Sequence, residues 1–302
     1  MRIIGGGLLA IALATGCSAV RFGYNQAPEL GYWWLDGFVG FNEAQAPAAR
    51  EALAEWFAWH RRTQLGDYAE LLERARREVV ADTTPRQTCR WVAEVGERID
   101  RAVERALPVT ADIARTLTPQ QIQALAKRNA KRNAEFRQEF LQPDPKRRLQ
   151  ASIDRAVERF ERVYGRLEVA QRALVAREVA ASPFDAERWM AERERRQREL
   201  IDTLTRLEGE RASASQVMAA LRSFFESQQR SSDPAYRDYQ QRLLEFNCQF
   251  AAKVHNAATP AQREEAAIRL RGWEGDVRSL AGLAAPSAEG RRAAAAKLAA
   301  HP

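Results

Sequence analysis

The sequence predicts an all-α fold, an elongated bundle of about eight to ten helices, on three observations. Glycine and proline are sparse, 16 and 12 in 302 residues, while Ala, Glu, Arg, Leu and Gln abound, a composition that favours helices. A short pattern recurs: Ser or Thr, then Pro, any residue, then Gln or Asp, as in Thr84-Pro85-Arg86-Gln87, Thr118-Pro119-Gln120-Gln121, Ser182-Pro183-Phe184-Asp185 and Thr259-Pro260-Ala261-Gln262. In each the hydroxyl can cap an amide, proline suits the first turn, and the fourth residue can reach back to the cap. Asp144-Pro145 and Asp233-Pro234 carry weaker versions of the same start signal. Finally, apolar residues repeat with helical spacing: Ile153, Val157, Phe160, Tyr164, Leu167 and Leu174 form one stripe, and Val92, Val95, Ile99, Val103 and Ala106 a second. No alternating run bounded by turn residues suggests a sheet.

Taken from the start, Arg2 precedes an apolar run from Ile3 to Ala14, and small residues lead to Cys17. This is the layout of a secretory signal peptide, too short for a membrane-spanning helix of about 20 residues. The stretch Leu13-Ala14-Thr15-Gly16-Cys17 resembles the lipobox of bacterial lipoproteins. That resemblance implies removal of residues 1–16 and acylation of Cys17 with palmitate-type chains, each buried methylene adding about 0.8 kcal/mol to the anchor. Ser18 stands where an aspartate would signal retention at the inner membrane, so the same resemblance implies the periplasmic face of the outer membrane of a Gram-negative cell. No later stretch is long and apolar enough to span a bilayer.

Residues 17–41 form an aromatic-rich strap that holds Phe22, Tyr24, Tyr32, Trp33, Trp34, Phe38 and Phe41 among glycine and proline. It reads either as a partner-binding surface, as an amphipathic element on the lipid interface, or as a strap whose rings pack on the bundle. The helical domain follows over residues 42–283. Near its start Trp56, Trp59 and His60 share one helix face, extending the candidate partner-binding set. His60 has no serine, cysteine or carboxylate tied to it by a recognisable motif, which makes a hydrogen-bonded structural role the expectation.

Further on, Lys127, Arg128, Lys131 and Arg132 place like charges four residues apart. They form a candidate basic patch, either a solvated face or a seat for an acidic partner or lipid surface. The run Ala191-Glu-Arg-Glu-Arg-Arg-Gln-Arg-Glu-Leu200 mixes both signs and reads as a solvated helix face. With Cys17 lipidated, Cys89 and Cys248 remain, an even pair that in an oxidising compartment reads as a disulfide stapling an early helix to a late one; two buried thiols are the alternative. Residues 284–302 carry no apolar stripe and read as a loose tail or a lone marginal helix.

The formal net charge of +7 favours anionic neighbours, and the periplasmic address argues against nucleic acid among them. His60, His255 and His301 make no metal-ligand spacing with the cysteines, and no motif for a cofactor or a catalytic constellation is present. Together the lipobox, Gly31-Tyr-Trp-Trp-Leu-Asp-Gly-Phe-Val39, Trp56-Phe-Ala-Trp-His-Arg-Arg62 and Ser182-Pro-Phe-Asp-Ala-Glu-Arg-Trp-Met-Ala-Glu-Arg-Glu-Arg-Arg-Gln197 resemble an uncharacterised family of proteobacterial outer-membrane lipoproteins, classed as a domain of unknown function. Leu117-Thr118-Pro119-Gln120-Gln121 is similar to the Leu-Thr-x-x-Gln motif of periplasmic stress chaperones. The expectation is therefore a non-enzymatic, lipid-anchored binding or scaffolding component of the cell envelope with an envelope protein partner. A tethered chaperone is the alternative.

Overall fold

The structure, a computed structural model, describes residues 19–283. Eleven helices run through them and none of the described residues forms a strand: α1 (Ala19–Val39), α2 (Ala46–Thr63), α3 (Leu65–Glu78), α4 (Pro85–Ala114), α5 (Pro119–Phe140), α6 (Pro145–Tyr164), α7 (Val169–Ala180), α8 (Ala186–Gly209), α9 (Ala214–Gln229), α10 (Pro234–Asn256) and α11 (Pro260–Leu280). Two features raise the count above the expected eight to ten. The segment read as a strap is helical, and residues 46–78 divide at Gln64, which caps neither helix with its side chain. Cys17, expected to carry lipid, Ser18, expected to direct sorting, and the tail from residue 284 lie outside the described residues.

Most helix starts form where the capping signals stand. Thr84, Thr118 and Thr259 each accept the amide three residues on, and Gln87, Gln121 and Gln262 reach back to complete full capping boxes. Asp144 and Asp233 cap α6 and α10. Ser182 is a correction. Its hydroxyl accepts the Phe184 amide within a turn, and α8 starts later, where the Asp185 carboxylate takes the amides of Glu187 and Arg188. A charged acceptor outcompetes a hydroxyl for the orphan amides of a first turn.

Packing divides around α4, whose 30 residues span about 45 Å at 1.5 Å per residue. One core joins Val157 and Tyr164 of α6 to Leu167, Val175 of α7, Val254 of α10 and Ala266 of α11, with Ile153, Phe160 and Leu174 against it. The first apolar stripe thus faces a core as expected. A second core joins Leu107 and Ala111 of α4 to Leu207, Val217 and Leu221. The other stripe behaves differently: Val92, Val95 and Ile99 are about half exposed, at 49%, 45% and 55%. Spacing says which residues share a face, not which face is covered. In α4 polar and covalent contacts to either side decide, with Arg98 and Arg101 on Asp67 of α3, Trp56 of α2 on the Ala102 carbonyl, and Cys89 bonded to Cys248 of α10.

The disulfide joins α4 to α10 across 159 positions with a Cα–Cα distance of 5.4 Å. Helices α3 and α11 meet along an extensive seam that carries a chain of charges, Arg76 to buried Glu274 to Arg278 to Glu73. Two reciprocal amide pairs add a polar register. Gln121, while capping α5, donates to the Gln45 side chain, which donates to the Thr116 carbonyl. In the same manner Gln262 of α11 and Gln171 of α7 exchange hydrogen bonds of 2.7 and 2.9 Å. The capping glutamines therefore act twice, once within their own helix and once between segments.

Candidate functional site

Helix α1 distributes its aromatic residues between two sides. Periodicity places Tyr24, Tyr32, Leu35 and Val39 toward the bundle and Phe22, Leu30 and Trp33 away from it. Tyr32 is buried, lies stacked near Phe41, and carries the Arg50 guanidinium 3.6 Å from its ring centre. Gly31 sits against Leu53 and Phe57 of α2. Pro28 costs the helix one backbone hydrogen bond, a loss offset by docking on α2, α5 and α11. At its C-terminus Gly40 adopts φ +68, the left-handed conformation that glycine takes without strain, and its amide closes on the Asp36 carbonyl at 2.7 Å.

The outward side is apolar and open. Phe22 is 67% exposed, Leu30 59%, Trp33 62% and Trp34 57%. Such a cluster of large apolar side chains on one helix makes this side the candidate contact site. Trp34 is propped from beneath by Phe38, 4.8 Å away between ring centres, and Trp33 leans edge-on to Tyr32. The rings therefore have defined positions before any partner arrives.

Trp56, Trp59 and His60 belong elsewhere. Their face of α2 packs inside the fold, where Trp56 donates to the Ala102 carbonyl at 3.0 Å and stacks on the His60 ring. Arg105 approaches Trp59. His60 is buried between two tyrosines, with its Nδ1 2.8 Å from the Tyr24 hydroxyl and its Nε2 3.2 Å from the Tyr68 hydroxyl. This arrangement engages both ring nitrogens and ties α1 to α2 and α3. Burial pushes the imidazole below its ordinary value of 6.5 and the Tyr24 phenol up to about 12.

The sign of the resulting pH dependence follows directly. Below pH 6.5 the unfolded chain takes up a proton that folded His60 resists, so stability is full above 6.5 and falls as pH drops below it. Urea unfolding midpoints between pH 5 and 7.5 are expected to decline toward acid in the natural protein and to decline less in His60→Gln. Equal slopes would contradict the assignment.

The basic patch also divides. Arg128 donates to the Phe38 carbonyl, and the Arg132 guanidinium lies 3.9 Å from the Phe38 ring centre and 5.8 Å from that of Trp34. Lys127 and Lys131 are exposed. Two of the four cations thus hold the end of α1, through a carbonyl and ring faces that charge spacing alone does not reveal.

The mixed-charge run of α8 is a further correction. Expected as a solvated face, it places Glu192 at 6% exposure, where its carboxylate accepts from Arg195, Arg196 and the buried Ser231 hydroxyl at 2.6 Å. On another side of the helix Arg193 and Gln197 bond Asn133 of α5. The run is a polar seam joining α8 to α5 and to the turn before α10. Glu192 pairs within the helix with Arg195 and Arg196, while Glu194 pairs with Arg137 of α5.

Among the described residues no group of three or more His, Cys, Asp or Glu side chains could hold a metal ion, and no helix is long and apolar enough to cross a membrane. The fold and site define an all-α multi-helix protein whose first helix presents an open aromatic side. The chain belongs to a family of unknown function, DUF6279, whose model matches residues 37–237. No curated protein and no solved structure matches it.

Proposed function

We propose that this protein is a non-enzymatic binding or scaffolding component of the bacterial cell envelope, with the outward side of α1 as its contact surface. The observation that carries the reading is the division within α1: Tyr24 and Tyr32 are committed to the fold, whereas Phe22, Leu30, Trp33 and Trp34 are open, the two tryptophans resting on Tyr32 and Phe38. The address rests on the lipobox-like Leu13–Cys17 stretch and on Ser18, which favour a lipid anchor on Cys17 and the periplasmic face of the outer membrane.

Anchor and surface support each other by distance. Helix α1 begins at Ala19, two residues after Cys17, and two residues of chain reach about 7 Å. A lipid on Cys17 therefore keeps the first turn of α1, Phe22 included, at the membrane surface. The component that the first turn of α1 meets is one found there, a headgroup layer or a protein seated in it, and Trp33 and Trp34, about 16 Å further along the helix, reach that layer where α1 lies along the surface. Gln121, the motif residue that suggested a tethered chaperone, is occupied in an amide pair within the fold.

Replacing Trp33 and Trp34 by alanine separates contact from folding. The variant is expected to unfold within about 0.5 kcal/mol of the natural protein, as exposed positions do, and to lose its association with other envelope components on mild extraction. A variant that keeps every such association would remove the site.

A further inference from the structure

Between α6 and α10 the bundle leaves two adjoining cavities of about 960 and 550 Å³. Both are lined by Ala156, Arg159, Asn247 and Phe250, so they adjoin along one trough between the two helices. A run of apolar side chains follows its floor, from Phe140 and Trp189 at one end, past Leu243 and Phe250, to Phe160 and Trp91 at the other, between polar edges. This is the size and lining of a small-molecule site.

One edge is different. Arg148, Arg155 and Arg159 follow one another at i, i+7 and i+11 along α6, in a line about 16 Å long. Arg155 is already oriented, its guanidinium 4.3 Å from the Phe140 ring centre and donating to Ser152 Oγ at 3.1 Å. Among the described residues none of the three forms an ion pair, although Arg162 on the same helix pairs with Glu158 and Arg172 on α7 with Glu161. Across the trough stand Asp185, which accepts the amides that start α8, and Glu187, and Glu78 lines the adjoining cavity. The α6 edge therefore carries three arginines with no ion pair to these acids.

An occupant must bring a long apolar body and a negative end. Residues 284–302 of this chain do not qualify, since they carry Arg291, Arg292 and Lys297 against the single acid Glu289. We propose that the trough binds a long-chain fatty acid, its alkyl chain along the ring-lined floor and its carboxylate on the α6 arginines. Arg155 is the primary partner because its guanidinium is preset and can meet a carboxylate through two parallel hydrogen bonds. Arg148 and Arg159 flank it and supply the positive potential that draws the carboxylate in. The alkyl chain contributes through burial, at about 25 cal/mol per Å² of apolar surface.

The test uses the full chain in nanodiscs of uncharged lipid with a diazirine-bearing hexadecanoic acid as photoprobe. Adducts are expected in peptides spanning residues 140–159 and 243–250. Excess hexadecanoate should displace them, and hexadecyltrimethylammonium should not. In Arg148→Gln/Arg155→Gln/Arg159→Gln the yield in these peptides should fall at least tenfold. Ala180→Trp, which adds a ring on the exposed rim of the trough at the end of α7 and leaves the arginines in the chain, should lower labelling at least tenfold and guards against a folding defect in the triple variant. Absence of adducts from the trough, equal labelling of the natural chain and both variants, or equal displacement by the cationic amphiphile would each overturn the assignment.

Discussion

Replacing Cys89 and Cys248 together by serine is expected to remove about 5 kcal/mol of stability, the largest single effect in the molecule. The bond closes a loop of 159 positions, and the chain-entropy relation for a loop of that size gives about 5 kcal/mol from the restriction of the unfolded ensemble alone. The thermal midpoint should fall by about 10–20 °C at the 2–4 °C per kcal/mol usual for this size. The location adds a structural reason. Cys89 lies in the first turns of α4 and Cys248 is 2% exposed on α10, so the bond joins the α4 side to the helices of the α6, α7, α10 and α11 core. A drop below about 1 kcal/mol would mean that noncovalent packing already confines the unfolded chain.

Glu192→Ala is expected to cost about 3 kcal/mol or more, the usual result of removing one partner from a buried, hydrogen-bonded ion pair. It would leave the Arg196 side chain, 11% exposed, and the buried Ser231 hydroxyl without their acceptor. Burial opposes ionisation of Glu192, but hydrogen bonds from Arg195, Ser231 and Arg196 prevail and hold its carboxyl at about 2 against an ordinary 4.5. A depressed carboxyl contributes stability that is present above pH 4.5 and is lost as pH falls through about 2. Acid titration monitored by circular dichroism should show the natural protein losing stability across that window, and Glu192→Gln losing less. Identical acid limbs would remove Glu192 from the account.

How far these features were legible depended on whether the signal was local. Thr84, Thr118 and Thr259 announced their helices because hydroxyl, proline and glutamine all stand within four residues. Ser213 of α9 makes a capping box as complete, and at α7 Gln171 reaches back to the Glu168 amide, yet no proline follows either residue to mark the start. The Val157 and Tyr164 stripe found its core, while Val92, Val95 and Ile99 kept the same spacing and remained open. The cystine followed from an even count and a compartment. Charge was read least well. Glu192, Arg196, Arg128 and Arg132 look like solvated surface in one dimension, because partners distant in sequence complete their contacts: Ser231 in the turn before α10, Gln228 of α9 and the end of α1. The aromatic segment was legible as unusual, but only the fold separates Tyr24 and Tyr32, which hold α1 down, from Phe22, Trp33 and Trp34, which remain open.

The central claim, that the open side of α1 is the contact surface, is tested most directly by photo-crosslinking in intact cells. A photoreactive residue is placed at Trp34 in one strain and at buried Tyr32 in another, and adducts are identified by mass spectrometry. The account predicts a dominant adduct from position 34, to membrane lipid or to one envelope protein, and no intermolecular adduct from position 32. A broad spread of unrelated proteins from position 34 would favour a chaperone instead. No adduct from position 34, or the same adducts from both positions, would contradict the claim.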